Sequence, residues 1–179
     1  WREFATIIML IGVGVMAGKN KIQRFVFFLY SFAIWDIFYY VFLKVLLDWP
    51  ASLFTWDILF LIPVPWVGPV LAPCLISLSM FLLMVVVLYY KKKGFLVYII
   101  FIEWIFLIFG SITAIISFMW DYIMYLQKDA STDVVWTLTS KADLFEEVKQ
   151  YVPTEFNWWL FGIGQGTILL AIFLIYNRY

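Results

Sequence analysis

The sequence predicts an all-α integral membrane protein, a bundle of about five transmembrane helices with a Pro-rich interfacial or re-entrant segment on the outer side. Of its 179 residues, 65% are hydrophobic and 13% are charged, whereas soluble domains are about 45–50% apolar and about 25% charged. The mean hydropathy is +0.97. The apolar residues also form long runs, and about 20 mostly apolar residues suffice to cross a bilayer.

Five apolar runs have the composition of membrane helices. They cover residues 3–18, 23–47, 69–90, 95–120 and 156–176. The first run is short for a span, and because the sequence begins at Trp1 rather than Met we allow for residues missing before it. We assign all five runs to a single transmembrane domain, residues 1–179.

Charges in the linkers are sorted by sign, and this sorting predicts the topology. Seven cations and no acid lie in alternate linkers and at the C-terminus: Lys19, Lys21, Arg24, Lys91, Lys92, Lys93 and Arg178. The opposite linkers are acidic, with seven acids against three lysines between residues 121 and 155. Because cytoplasmic loops are enriched in Lys and Arg, we predict a protein of a bacterial or archaeal cytoplasmic membrane with its N-terminus outside and its C-terminus in the cytoplasm.

The segment FLIPVPWVGPVLAP, residues 60–73, holds four of the six prolines and is otherwise apolar. Proline removes a backbone donor and clashes with the preceding turn, which argues against a regular helix. Residues 56–65 are too few to cross, and irregular backbone at membrane depth needs protein or water around it. We predict that they lie in the outer interface, as a simple anchor, or dip into the membrane and return, packed as a lid over the helix ends.

The outer loop 128–155 is the one stretch with the composition of a soluble segment. Ser140 is a good helix cap, and the apolar residues Leu144, Val148 and Val152 follow at helical spacing. We therefore predict a short amphipathic helix that rests on the outer surface or on a partner, ending at Pro153.

Polar side chains inside the spans are the candidate functional residues, because ionisable groups at membrane depth are costly and suggest a function. Intervals of four place a polar stripe along one face of the second span: Asp36, Tyr40, Lys44 and Asp48. Glu103 lies about 12 Å into the fourth span, and Gln165 lies in the fifth. These residues suit a proton or cation path or a polar ligand site, and equally hydrogen bonds that fix helix packing.

Small residues at intervals of four predict faces where helices approach closely. They are Gly14, Gly18, Gly110, Ala114, Gly162 and Gly166. Such faces serve either packing within the chain or contact with a neighbouring subunit, and the sequence does not separate the two uses. The run GIGQG at 162–166 lacks the preceding strand and the following Lys of a phosphate-binding loop.

Missing residue types exclude much chemistry. The chain has no His and one Cys, Cys74, so His-ligated haem, His-containing zinc sites, iron–sulfur clusters and internal disulfides are excluded. No metal or cofactor is predicted, although a bound lipid, quinone or carotenoid needs no imidazole. The net charge of zero gives no field that would attract nucleic acid.

No motif identifies a family, so three functional classes remain. The first expectation is a non-catalytic subunit or assembly partner of a larger membrane complex, with the lipid bilayer and other membrane subunits as its partners. The alternative is a small proton- or ion-coupled transporter that uses Asp36 and Glu103. A carboxylate-based enzyme acting on a lipid comes third, because the sequence has no paired acidic motif.

Overall fold

The computed structural model describes residues 2–61, 64–129 and 152–179, and of residues 2 and 126–129 the backbone alone. Within these ranges the chain forms helices and one two-stranded sheet. In chain order they are α1 (Arg2–Ala17), α2 (Lys21–Leu47), β1 (Trp56–Phe60), β2 (Trp66–Pro69), α3 (Leu71–Lys92), α4 (Phe101–Asp129) and α5 (Trp158–Arg178).

The predicted helical membrane class agrees with the structure at the level of its long helices. Four helices, α2 to α5, are long and apolar enough to cross a membrane. Helix α1 is apolar but shorter, as its run in the sequence indicated. The architecture is not purely α-helical, because β1 and β2 form a hairpin between α2 and α3.

Helix α4 begins six residues later than the apolar run predicted, at Phe101 instead of residue 95. Residues 95–100 are not helical; they follow Gly94, which has a positive φ of 90°. The carboxylate of Glu103 accepts a hydrogen bond from the backbone N–H of Ile100 at 2.9 Å. A glutamate that reaches back in this way caps a helix start, so Glu103 sets where α4 begins.

The helices pack in a curved row, in the order α1, α2, α3, α5, α4. Glycines mark two of the contacts. A Cβ on Gly14 would meet the backbone of Arg24 and Phe28 on α2 at 2.7–2.8 Å. Cβ atoms on Gly110 and Gly164 would each meet backbone of the opposite helix at 2.7 Å, so α4 and α5 touch almost backbone to backbone.

Successive linkers lie at opposite ends of the bundle. One end carries the hairpin, and there the N–H of Leu61 donates to the Glu3 carboxylate on α1 at 3.2 Å. We call it the hairpin end. The other end carries the basic linkers after α1 and α3 and the C-terminus, and we call it the cationic end. The alternation predicted from the linker charges is therefore present, while the orientation in a membrane stays a prediction.

The Pro-rich segment forms an antiparallel hairpin that covers one end of the bundle. Asp57 pairs with Gly68 and Ile58 with Val67. Val67 is buried with Tyr122 of α4, and a Cβ on Gly68 would touch the Phe118 ring at 3.0 Å. Pro69 ends β2 instead of starting the helix as predicted, because it lies opposite Trp56 in the strand pairing.

The predicted amphipathic helix around Ser140 falls on residues 130–151, outside the described ranges. What the structure describes of that loop is its return to the bundle. The hydroxyl of Thr154 donates to the Asp121 carboxylate at 2.9 Å, which ties the start of this return to the end of α4.

Candidate functional site

A cavity of about 220 Å³ lies inside the curve of the helix row. Helices α2 and α4 line two facing sides of the cavity, and α3 and α5 line the side between them, which we call the floor. Phe60 and Trp66 cover the cavity at the hairpin end, and we call them the roof. At the cationic end the rings of Phe25 and Trp104 close the gap between α2 and α4, and their centroids are 5.1 Å apart. We call it the Asp36 cavity, after the carboxylate that lines it.

The cavity wall is mostly apolar, with a few polar groups. These are the Asp36 carboxylate and the hydroxyls of Ser77, Ser79 and Ser111. Its volume exceeds the roughly 150 Å³ of an engineered apolar cavity that binds benzene. Concave apolar sites with few convergent polar groups are the usual form of small-molecule sites.

Asp36 sits in the middle of α2 and is only 8% exposed. Its Oδ2 accepts a hydrogen bond from the Ser77 hydroxyl of α3 at 2.8 Å. Among the side chains that the structure describes, no cation forms a salt bridge with it. The apolar wall therefore contains one carboxylate without a paired positive charge.

Trp66 of the hairpin also lines the cavity. Its indole nitrogen is buried and has no hydrogen-bond partner within the described parts of the chain. A buried donor without a partner costs about 1–3 kcal/mol, so this nitrogen lowers the stability of the hairpin in the described structure. Sequence analysis did not single out Trp66 as a cavity residue, because a Trp between two membrane spans is typical of an interfacial anchor.

Tyr40 continues the stripe of α2 towards the hairpin instead of towards Lys44. Its hydroxyl donates to the Asp57 carboxylate of β1 at 2.9 Å. Burial raises the pKa of Asp57 above its ordinary value, although hydrogen bonds from Tyr40 and Ile58 act in the opposite direction. Asp57 does not line the Asp36 cavity; it ties the hairpin to α2.

The raised pKa of Asp57 predicts a pH effect on stability. A carboxylate with a higher pKa in the folded state binds its proton more tightly there, so folding is favoured as pH falls into the window above 3.8, the ordinary value. We expect wild type to lose stability relative to Asp57→Asn as pH rises through that window, and then to level off. Unfolding of both proteins in one detergent between pH 4 and 7 measures this. A pH-independent difference would contradict it.

Lys44 and Asp48 form a salt bridge of 2.7 Å at the end of α2, and both side chains are largely exposed, by 50% and 91%. Lys44 also donates to the backbone carbonyl of Asp48. The stripe therefore divides into a buried part, Asp36 and Tyr40, and an exposed ion pair. Lys44 is not brought to Asp36.

Glu103 belongs to a separate site at the cationic end. Its Oε2 pairs with the Arg178 guanidinium of α5 at 3.0 Å, and its neighbour Trp104 packs on Phe25. Phe25 precedes Asp36 by eleven residues, about 16 Å along a helix. Asp36 and Glu103 therefore share no cavity. The transporter alternative from the sequence grouped these two carboxylates, but they belong to separate sites.

Gln165 joins α5 to α3 next to the cavity floor. Its amide nitrogen donates to the Ser79 hydroxyl at 2.6 Å and to the Leu75 carbonyl at 3.2 Å. Its Oε1 is buried without a partner among the described atoms. The arrangement joins three helices. Ser77 of α3 hydrogen-bonds to Asp36 of α2, and Ser79 of α3 hydrogen-bonds to Gln165 of α5.

Ser77, Ser79 and Gly164 are further residues that sequence analysis missed. The sequence carried a signal for the serines, because both lie in the middle of an apolar run. Gly164 lay inside GIGQG, but the spacing of four drew attention to Gly162 and Gly166 instead. Cβ atoms at those two positions would meet none of the described residues within 4 Å, so in the described part of the chain their face of α5 is open.

Comparison with protein-family models, curated protein sequences and solved structures finds no match to this chain. A metal centre has no support in the described ranges, where no three His, Cys, Asp or Glu side chains cluster. Any function must therefore be argued from the Asp36 cavity and the helix surfaces.

Proposed function

We propose that this protein binds a small membrane-dissolved molecule in the Asp36 cavity and acts as a carrier for it. The cavity carries the proposal, because a mostly apolar site of about 220 Å³ containing one buried carboxylate is more than helix packing requires. This proposal differs from the proton- or ion-coupled transporter raised by the sequence, which used Asp36 and Glu103, but it keeps Asp36 as its polar group. Glu103 has no part in it, since it pairs with Arg178 instead.

Narrowing the cavity should weaken binding. Met80 lines the cavity, whereas Leu78, two residues earlier on α3, is 55% exposed on another face. We expect Met80→Trp in lipid nanodiscs to bind radiolabelled dodecanol at least about ten-fold more weakly than wild type, because the larger and rigid indole ring occupies space that the chain of the ligand needs. Leu78→Trp should bind it as wild type does.

A second blocking variant protects this test against a folding failure. Leu29→Trp fills the cavity from α2, and thermal unfolding reports whether each variant is folded. Folded Met80→Trp and Leu29→Trp proteins that bind dodecanol like wild type would show that the cavity is not the binding site. If nanodiscs that contain wild-type protein take up no more dodecanol than nanodiscs of lipid alone, the carrier proposal is wrong.

A second candidate function is the non-catalytic subunit of a larger membrane complex, favoured by the open face of α5. The small-residue spacing of Gly162 and Gly166 suits close approach of another helix, and within the described ranges no atom of this chain fills that space. Native mass spectrometry of the protein extracted from its own membrane tests it. A defined larger assembly that dissociates in a Gly166→Leu variant supports this role, whereas a monomer contradicts it.

A further inference from the structure

We propose that the molecule bound in the Asp36 cavity is a single-chain amphipath whose head carries a protonated amine, and that it enters sideways from the bilayer between α2 and α4. The inference rests on the proposed function and specifies its ligand. Asp36 would hold the amine, and the apolar walls towards Phe25 would hold the chain.

The carboxyl group of Asp36, which has no paired cation among the described side chains, points to the head. Removing a carboxylate from water costs several kcal/mol unless a cation and hydrogen bonds compensate it, and ionisable groups at membrane depth pair with one another or mark a ligand pathway. Here Ser77 supplies one hydrogen bond, and no cation among the described side chains forms a salt bridge with it. A ligand ammonium supplies both the missing charge and further donors. A primary amine, like that of lysine, stays protonated at neutral pH.

The shape of the cavity points to the tail. Asp36 lies near the hairpin roof, and the lining continues along α2 to Phe25, about 16 Å away at 1.5 Å per residue. On the facing wall, Leu107 and Ala114 of α4 are apolar. A slender chain that runs from the carboxylate towards the cationic end matches this outline, whereas a compact polar solute would leave most of the wall uncovered.

The gap between α2 and α4 points to the entrance. In the described ranges these helices pack through α3 and α5 and not extensively on each other. Their gap is closed at one end by Phe25 and Trp104 and at the other by the hairpin. Ser111 of α4 lines the cavity and is also exposed, so the remaining opening faces sideways. A membrane-dissolved molecule can enter there without leaving the bilayer.

The test compares two probes with the same chain, dodecylamine and dodecanol, on the full protein in zwitterionic lipid nanodiscs at pH 7. We expect wild type to prefer the amine by about ten-fold or more, since hydrogen bonds to charged groups are the strong ones. Asp36→Asn should lose that preference while still binding dodecanol. Asp57→Asn, which changes a carboxylate outside the cavity lining, should keep it.

Each outcome decides one of the two proposals. Equal binding of both probes to wild type, or an amine preference that survives in folded Asp36→Asn, overturns the amine ligand and leaves the carrier proposal standing. An absence of binding by either probe overturns the carrier proposal itself. Sideways entry predicts that Ser111→Trp, which narrows the opening between α2 and α4, slows the uptake of dodecylamine; an unchanged uptake rate in the folded variant would overturn that part.

Discussion

Replacing Arg178 by Met should lower the free energy of unfolding by about 3 kcal/mol. Glu103 is only 1% exposed, and Arg178 pairs with its carboxylate at 3.0 Å. Removing one partner of a buried ion pair costs about 3–5 kcal/mol, because the other charge stays buried without compensation. We expect the lower end of this range, since Arg178 also has two buried nitrogens without a partner in the described structure.

The matched control is the exposed pair of Lys44 and Asp48. Its distance of 2.7 Å is shorter than that of the buried pair, yet exposed ion pairs contribute about 0–1 kcal/mol. Lys44→Met should therefore cost less than about 1 kcal/mol. Denaturant unfolding in one detergent compares the two variants. A loss in Arg178→Met no larger than that in Lys44→Met would mean that the Glu103–Arg178 pair does not stabilise the fold.

The double variant Glu103→Gln with Arg178→Met separates the charge effect from lost packing. If an uncompensated carboxylate causes the loss, then neutralising it should restore part of the stability, and the two changes should be non-additive. Additive losses would instead point to the Arg178 contacts with the Tyr98 and Tyr179 rings, each 4.7 Å from the guanidinium.

Gly164→Ala should destabilise the bundle by about 1–3 kcal/mol, the usual cost of overpacking. The added Cβ would lie 2.7 Å from the Ala114 nitrogen and 2.8 Å from the Gly110 carbonyl oxygen. Both are backbone atoms, so no side chain can rotate away, and α4 and α5 must separate. Thermal unfolding in detergent measures the loss.

Gly162→Ala and Gly166→Ala are the controls for Gly164→Ala, because they lie on the same helix and no described residue approaches their Cβ positions within 4 Å. Alanine also has the better helix propensity, so both controls should be neutral or slightly stabilising. If all three variants behave alike, the close approach of α4 to α5 is not the reason that Gly164 is a glycine.

The helix boundaries show how far local pattern reaches. The runs 23–47 and 156–176 agree with α2 and α5 to within two residues, because a long apolar run with a cap has few other structures open to it. The fourth run, 95–120, differs from α4 (Phe101–Asp129) at both ends. At its start the Glu103 carboxylate accepts from the Ile100 N–H, and Arg178, 75 positions away, pairs with the same carboxylate oxygen. No local pattern contains that second contact.

The candidate site divides in the same way. Asp36, Glu103 and Gln165 stand out in the sequence because polar side chains are rare in apolar runs. Which residues they pair with cannot be seen in the sequence, because Ser77, Ser79 and Arg178 lie on other helices. Sequence spacing grouped Asp36 with Lys44, but the structure pairs Lys44 with Asp48 and turns Asp36 towards α3.

By itself the sequence determined the chain's class, its long apolar helices, the sorting of charge between alternate linkers and two of the buried polar residues, Asp36 and Glu103. These properties depend on composition and on one helix at a time. Only the tertiary structure decided that the Pro-rich segment is a hairpin, that Asp36 and Glu103 lie apart, and that Gly164 makes the close contact. The physical reason is that each of these depends on which helix faces which, and a contact between distant segments leaves no periodic signal in either one.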